Sequence, residues 1–181
     1  MSMLGAAQES GTREMRRAVL AACVMAAITY TPAFAQKATL TQKFNDWAAY
    51  ASKENPKVCF AVTQPKSQSP KNVKRGPIYF YVSRWPTDGV DGEISVKMGY
   101  PFKPGAKVTV TIGSDKFELF TKDEGAFVEK ADVEKNLVAA LKTGTTMKVD
   151  GVSSRGTKTS DSYSLSGVAD ALDSMIKECA S

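Results

Sequence analysis

The stretch Glu93-Ile94-Ser95-Val96-Lys97-Met98 alternates polar and apolar residues at every step, and Lys107-Val108-Thr109-Val110-Thr111-Ile112 does the same. A period of two is that of a β-strand, whose successive side chains point to opposite faces; each stretch therefore lays one face on a core and the other in water. Pro101, Pro104 and Gly105 separate the two strands. Gly113-Ser114-Asp115 then turns the chain into a further strand over Lys116 to Phe120, and Ala126-Phe127-Val128 extends the sheet.

Upstream, Val58 to Thr63 is a short apolar, β-branched run and Ile78 to Trp85 is a second, rich in aromatics; both read as strands. Between them, Gln64 to Pro77 carries Pro65, Pro70 and Pro77 with Lys66, Lys71, Lys74 and Arg75, the composition of a solvated loop. Downstream, Asp132 is placed to cap a helix reaching Thr143, with Val133, Leu137 and Leu141 spaced by four and Gly144 placed to end it. Strands follow near Thr146 to Val152 and Thr157 to Tyr163. A last helix puts Val168, Ala171, Leu172, Met175, Ile176 and Cys179 on one stripe and Asp170, Asp173, Lys177 and Glu178 on the other. About seven to nine short strands and two helices predict a mainly β fold, a β-sandwich or jelly roll in a single domain with the helices packed on its edge.

The first residues are of another kind. Arg16-Arg17, the apolar run Ala18 to Ile28 and the small-residue site Ala33-Phe34-Ala35 form the three zones of a signal peptide, with cleavage expected after Ala35 and a mature domain over 36–181. The run is shorter than the roughly 20 residues a spanning helix needs, and nothing later is long or apolar enough to span. Leu20-Ala21-Ala22-Cys23 also has the form of a lipoprotein box, but apolar residues continue past Cys23 to the better cleavage site. Met15 is an alternative start that leaves the mature chain unchanged. Loss of Arg13, Arg16 and Arg17 with Glu9 and Glu14 changes the net charge from +5 to +4, far below the charge density of a nucleic-acid binder. Of three cysteines, Cys59 and Cys179 remain in a chain bound for an oxidising compartment, periplasm or beyond, and are expected to pair.

The segment at Trp47 and Tyr50, the cysteine strand, Ile78-Tyr79-Phe80-Tyr81-Val82, and Glu93-Ile94-Ser95-Val96 followed by Gly99-Tyr100-Pro101-Phe102 occur in a telling order. So do Ser154-Arg155-Gly156-Thr157, Asp161 to Gly167, and a helix ending in Cys179. In that order they resemble the invasion-associated locus B family over nearly the whole mature chain. The resemblance implies a secreted envelope protein, a β-sandwich and no established catalytic activity; the family name refers to invasion of host cells.

The chain has no histidine, which removes Ser-His-Asp and Cys-His nucleophile systems and the usual His-containing zinc sites. Ser174-Met175-Ile176-Lys177 matches S-x-x-K, but Lys142-Thr143-Gly144 precedes it, the reverse of the penicillin-binding order. Asp88, Asp91 and Glu93 on a glycine-rich turn are candidate calcium ligands, without EF-hand spacing and more simply read as a solvated turn. Asp170 and Asp173 lie on the polar face of a helix. No metal and no cofactor is expected.

The expected recognition surface is the aromatic strand. Tyr79, Tyr81 and Trp85 alternate onto one face while Ile78, Phe80 and Val82 take the other; if the second face is inside, the first is left for a sugar ring or a partner protein, unless the helices cover it. Lys71, Lys74 and Arg75 in the adjoining loop are candidates for an anionic lipid or lipopolysaccharide phosphate. The functional expectation is a non-enzymatic envelope protein that binds an envelope or host protein, or an anionic or glycan surface component, and no nucleic acid. A periplasmic enzyme using carboxylates on a glycan or peptidoglycan is the alternative, and it requires two facing carboxyl groups in a cleft.

Overall fold

The alternating stretches are strands, as their period requires, in a computed structural model of the chain that describes residues 38–55 and 57–180, all within the unit Ala35–Ser181. The expected leader over 1–35, the alternative at Cys23 and the expected mature N-terminus at Gln36 lie outside the described residues. In chain order the elements are β1 (Ala38–Phe44), β2 (Trp47–Ser52), β3 (Cys59–Thr63), β4 (Ser67–Ser69), β5 (Tyr79–Trp85), β6 (Val90–Lys97), β7 (Lys107–Ile112), β8 (Asp115–Lys122) and β9 (Gly125–Phe127). Helix α1 (Ala131–Thr143), β10 (Thr146–Val152), β11 (Lys158–Ser164) and helix α2 (Val168–Ala180) complete the described chain.

The eleven strands form one sheet in the order β1-β2-β3-β5-β6-β9-β8-β7-β10-β11-β4, every pair antiparallel. The sheet is folded over on itself, so that its two halves face each other across a shared core. Phe80 of β5 meets the ring of Tyr163 of β11 edge to face at 6.2 Å, Trp47 of β2 meets Phe80 at 6.1 Å, and the Trp47 indole N–H donates to the Ser164 carbonyl at 3.0 Å. All three rings are buried. Apolar burial of this kind is the main favourable term of folding, and alternation along each strand delivers it: Ile94 and Val96 in β6, Val108 and Val110 in β7, Met147 and Val149 in β10 all point inward.

Both helices close the core on its inner side. Leu137 and Leu141 of α1, and Val168, Ala171, Leu172, Met175 and Cys179 of α2, are buried in the same cluster as the strand residues. Cys59 and Cys179 are joined by a disulfide, Cα to Cα 5.9 Å, which ties the end of α2 to β3. α1 starts at Ala131 after Lys130 with no side-chain cap, so Asp132 is not the cap expected of it; it lies in the first turn, where its charge suits the helix dipole. Gly144 does end α1, but in extended conformation, φ −80° and ψ 169°. It is required for space: a Cβ there would meet Ile112 and Leu165 at 2.5 and 2.8 Å.

The strand count exceeds the expectation. β1 and β2, and the three-residue β4 inside the expected loop 64–77, pair although their composition is Ala-, Lys- and Ser-rich. β4 takes that loop across to the far border of the sheet, where Ser67, Gln68 and Ser69 pair with Ser162, Asp161 and Ser160.

Candidate binding surface

Strands β2, β3 and β5 sort their side chains cleanly. Trp47, Ala49, Ala51, Cys59, Ala61, Phe80 and Val82 are buried on the core side, where α2 and the disulfide also lie. The intervening positions Tyr50, Phe60, Val62, Tyr79 and Tyr81 are half-buried on the other side. The apolar Phe80 face is thus the inner one and the tyrosine face the outer one, and no described helix covers the outer one.

Register then brings together aromatics that are far apart in sequence. Tyr50 is the cross-strand partner of Phe60, and their rings stack 5.2 Å apart at 7°. Phe60 meets Tyr81 edge to face at 5.8 Å, and Tyr81 meets Tyr79 at 5.6 Å. The run is flanked by Leu40, opposite Tyr50 and 53% exposed, and continues through Ser95 to Phe127 and Phe120, whose rings are 5.7 Å apart. Such pairs contribute about 0.5 to 1.5 kcal/mol each beyond their buried area, so the face holds its own shape. Burial, with Tyr79 and Tyr50 adding to it, pushes the Tyr81 hydroxyl pKa up and keeps that hydroxyl a neutral donor and acceptor.

Beside this run lies a groove of about 480 Å³, with Tyr50, Val62 and Tyr79 among its walls and Lys43, Asn45, Gln64 and Lys66 at its rim. The rim is built on the β1–β2 hairpin tip. Asn45 stands at φ 50°, a conformation asparagine tolerates, and its amide donates to Ser166 Oγ at 3.1 Å. The Asp46 N–H donates to the Ser166 carbonyl at 3.3 Å, and Thr63 Oγ1 donates to the Asp46 carbonyl at 2.7 Å. Gly167, at φ 88°, lets the segment before α2 pass against the Phe44 backbone where a Cβ would collide. Lys66 Nζ donates to Asp46 Oδ1 at 2.7 Å; that hydrogen bond, with a second from Ser164, holds the Asp46 carboxyl below the usual range.

The residues expected from sequence divide. Tyr79 and Tyr81 are in the aromatic run. Trp85, at the end of β5 beyond the bulge in the β5–β6 pairing, is half-buried and takes no part in the run of ring contacts. Lys71 and Lys74 are exposed in the crossing between β4 and β5, and the groove's rim takes its lysines from elsewhere. Arg75 turns inward: its side chain is 4% exposed, and it forms a bidentate pair with fully buried Asp161 at 2.7 and 2.6 Å. It also donates to the Met98 carbonyl and lies over the Tyr100 ring, so it is a structural residue rather than a surface cation. The residues that sequence reasoning missed are Tyr50 and Phe60, with Lys43 and Lys66 at the groove's rim and Lys97 opposite Tyr79. Phe60 lies in the Val58 to Thr63 run already read as a strand, and Tyr50 alternates with Trp47, Ala49 and Ala51; the pairing of strands that sets the two side by side is a tertiary fact.

Elsewhere, Asp91 pairs with Arg84, Lys142 with Asp173, and Glu93 lies on the outer face beside Ser83. No group of three or more His, Cys, Asp or Glu placed to hold a metal occurs among the described residues. A second groove, of about 690 Å³, lies at the disulfide end and includes Glu54 and Glu178 with Lys53 and Lys57 in its walls. No helix among the described residues is long and apolar enough to cross a membrane.

The fold is similar to that of the crystal structure of invasion associated protein B from Bartonella henselae. The TM-score is 0.58 and the identity 18%, over 79% of this chain and 100% of that one. A search of curated proteins finds no match. The family model described as Invasion associated locus B (IalB) protein matches residues 47–176, from the buried Trp47 through the aromatic strands and into α2, and the chain therefore belongs to that family.

Proposed function

We propose that this is a secreted envelope protein, freed of its leader after Ala35, that acts by binding rather than by catalysis, through the outer face of β2, β3 and β5. One observation carries the reading: α2, the disulfide and the core all lie on one side of these strands, leaving Tyr50, Phe60, Tyr81 and Tyr79 in mutual contact on the other. Aromatics with a polar tip are favoured at interfaces because they bury a large area for little lost rotamer freedom. The association with invasion, carried by the family's description and by the name of the Bartonella protein, supports a partner in the envelope or on a host surface. Neither names a reaction.

The test is crosslinking in intact cells followed by mass spectrometry, comparing wild type with a Tyr50→Ala/Tyr81→Ala variant. At least a tenfold loss of the crosslinked species, with the disulfide and the melting transition retained, is the expected result. Unchanged crosslinking removes this face as the contact surface.

A further inference from the structure

The aromatic face is not electrically uniform. Toward Ser83 it is bordered by Glu93, whereas toward Tyr79 it is bordered by Lys43, Lys66, Lys97 and Lys122. Lys97 is the cross-strand partner of Tyr79, and Lys122 is reached from Lys97 through Gly125. Two of these four cations are paired with carboxylates: Lys66 with Asp46 at 2.7 Å, and Lys97 with Glu124 at 3.8 Å. Lys43 and Lys122 make no salt bridge among the described residues, Lys43 acting on Asp46 at longer range.

We propose that the groove at this basic end binds an acidic glycan, sugar rings lying against Tyr50 and Tyr79 and their carboxylates meeting Lys43 and Lys66. The proposal rests on the outer face being the contact surface, and it adds the ligand's chemistry. A sugar ring presents an apolar C–H face and a periphery of hydroxyls. It therefore fits a half-buried aromatic wall ringed by short amide, hydroxyl and ammonium groups, which is what Tyr50, Tyr79, Asn45, Gln64 and the two lysines supply. The volume, about 480 Å³, lies within the roughly 300 to 1,000 Å³ of small-ligand sites. The backbone of the rim is preorganised by the Asn45, Asp46 and Thr63 hydrogen bonds, so the ordering left to binding is that of the two lysine side chains. Lys66 has three N–H donors, and its bond to Asp46 leaves two for a ligand carboxylate.

The experiment is retention of the chain, expressed with its own leader and recovered as the cell processes it, on an array of uronate-bearing, sialic-acid-bearing and neutral glycans. Retention on carboxylated glycans over neutral ones is expected, falling with added salt. It should drop at least tenfold in Lys43→Ala/Lys66→Ala and in Tyr79→Ala, and stay unchanged in Lys74→Ala. Lys43 and Lys66 are exposed, so the first variant keeps the fold. Equal retention of neutral and carboxylated glycans, or none on any, overturns the proposal. A photo-crosslinking residue in place of Ala48, in the same outer row as Val62 and Tyr81, separates the two levels of inference. A protein crosslink without glycan retention defeats the glycan and leaves the binding face standing; neither signal defeats both.

Discussion

A guanidinium withdrawn from water must find its charge and its hydrogen bonds inside the protein, and Arg75 finds both. Asp161 takes two N–H groups, the Met98 carbonyl takes two more, and Tyr100 lies under the plane at 5.1 Å. The pair fastens the crossing loop to β11, beside the backbone bond from Gly76 N–H to the Gly99 carbonyl. Removing one partner strands the other as an uncompensated buried charge, so Arg75→Ala should cost about 3 to 5 kcal/mol in a denaturant titration. Replacing both, as Arg75→Met/Asp161→Leu, should recover most of that loss; a double variant as unstable as the single one would show that the hydrogen-bond network, not the orphaned charge, is what matters. The sequence around Arg75 reads as a basic loop because charge and proline content are local properties, whereas the carboxylate that claims it is 86 positions away.

Among the elements, α1 illustrates how a helix is fixed to a sheet by one polar contact within an apolar seam. Leu137 and Leu141 enter the core, and Glu134 Oε1 accepts the Ile94 N–H of β6 at 2.8 Å. Burial raises the Glu134 pKa, opposed by that hydrogen bond and aided by Glu93. A folded pKa above the unfolded value, about 4.3, means that the contribution is fully present below that pH and is lost as pH rises through the folded value. Glu134→Gln keeps an oxygen to accept the N–H and removes the charge. Its melting temperature should therefore match wild type near pH 4 and exceed it at pH 7, and a variant equal to or below wild type at pH 7 would contradict this. Most elements were legible from period and turn residues, including β5, β6, β7, β10 and α2. β1 and β2 were not, because alanine, lysine and glutamine carry little strand preference, and only pairing of β2 with β3 and of β1 with β2 makes them strands. Nor was β4, whose Ser-Gln-Ser is loop-like until β11 supplies its partner.

For the molecule as a whole, the Cys59–Cys179 bridge closes a separation of 120 residues and joins an early strand to the last helix. In the chain-entropy picture that restraint on the unfolded chain is worth about 4 to 5 kcal/mol. Cys59→Ala/Cys179→Ala should lower the melting temperature by roughly 8 to 20 °C, at about 2 to 4 °C per kcal/mol for a chain of this size. A loss under about 3 °C would mean that packing of α2 against β2 and β3 restrains the chain without the bridge.

The sequence by itself determined what is local and periodic: the mainly β class, the cores of most strands, the amphipathic α2 and the absence of imidazole chemistry. It also identified the family, through the order of its segments. It narrowed the candidate aromatic surface to a choice between the two faces of β5. Only the tertiary structure decided which face is outward, because α2 and the disulfide occupy one side of the sheet and exclude it. Tertiary structure likewise added Tyr50 and Phe60 to Tyr79 and Tyr81, and gathered Lys43, Lys66 and Lys97 beside them while withdrawing Arg75. Cross-strand register is a non-local property, and no window of sequence contains it.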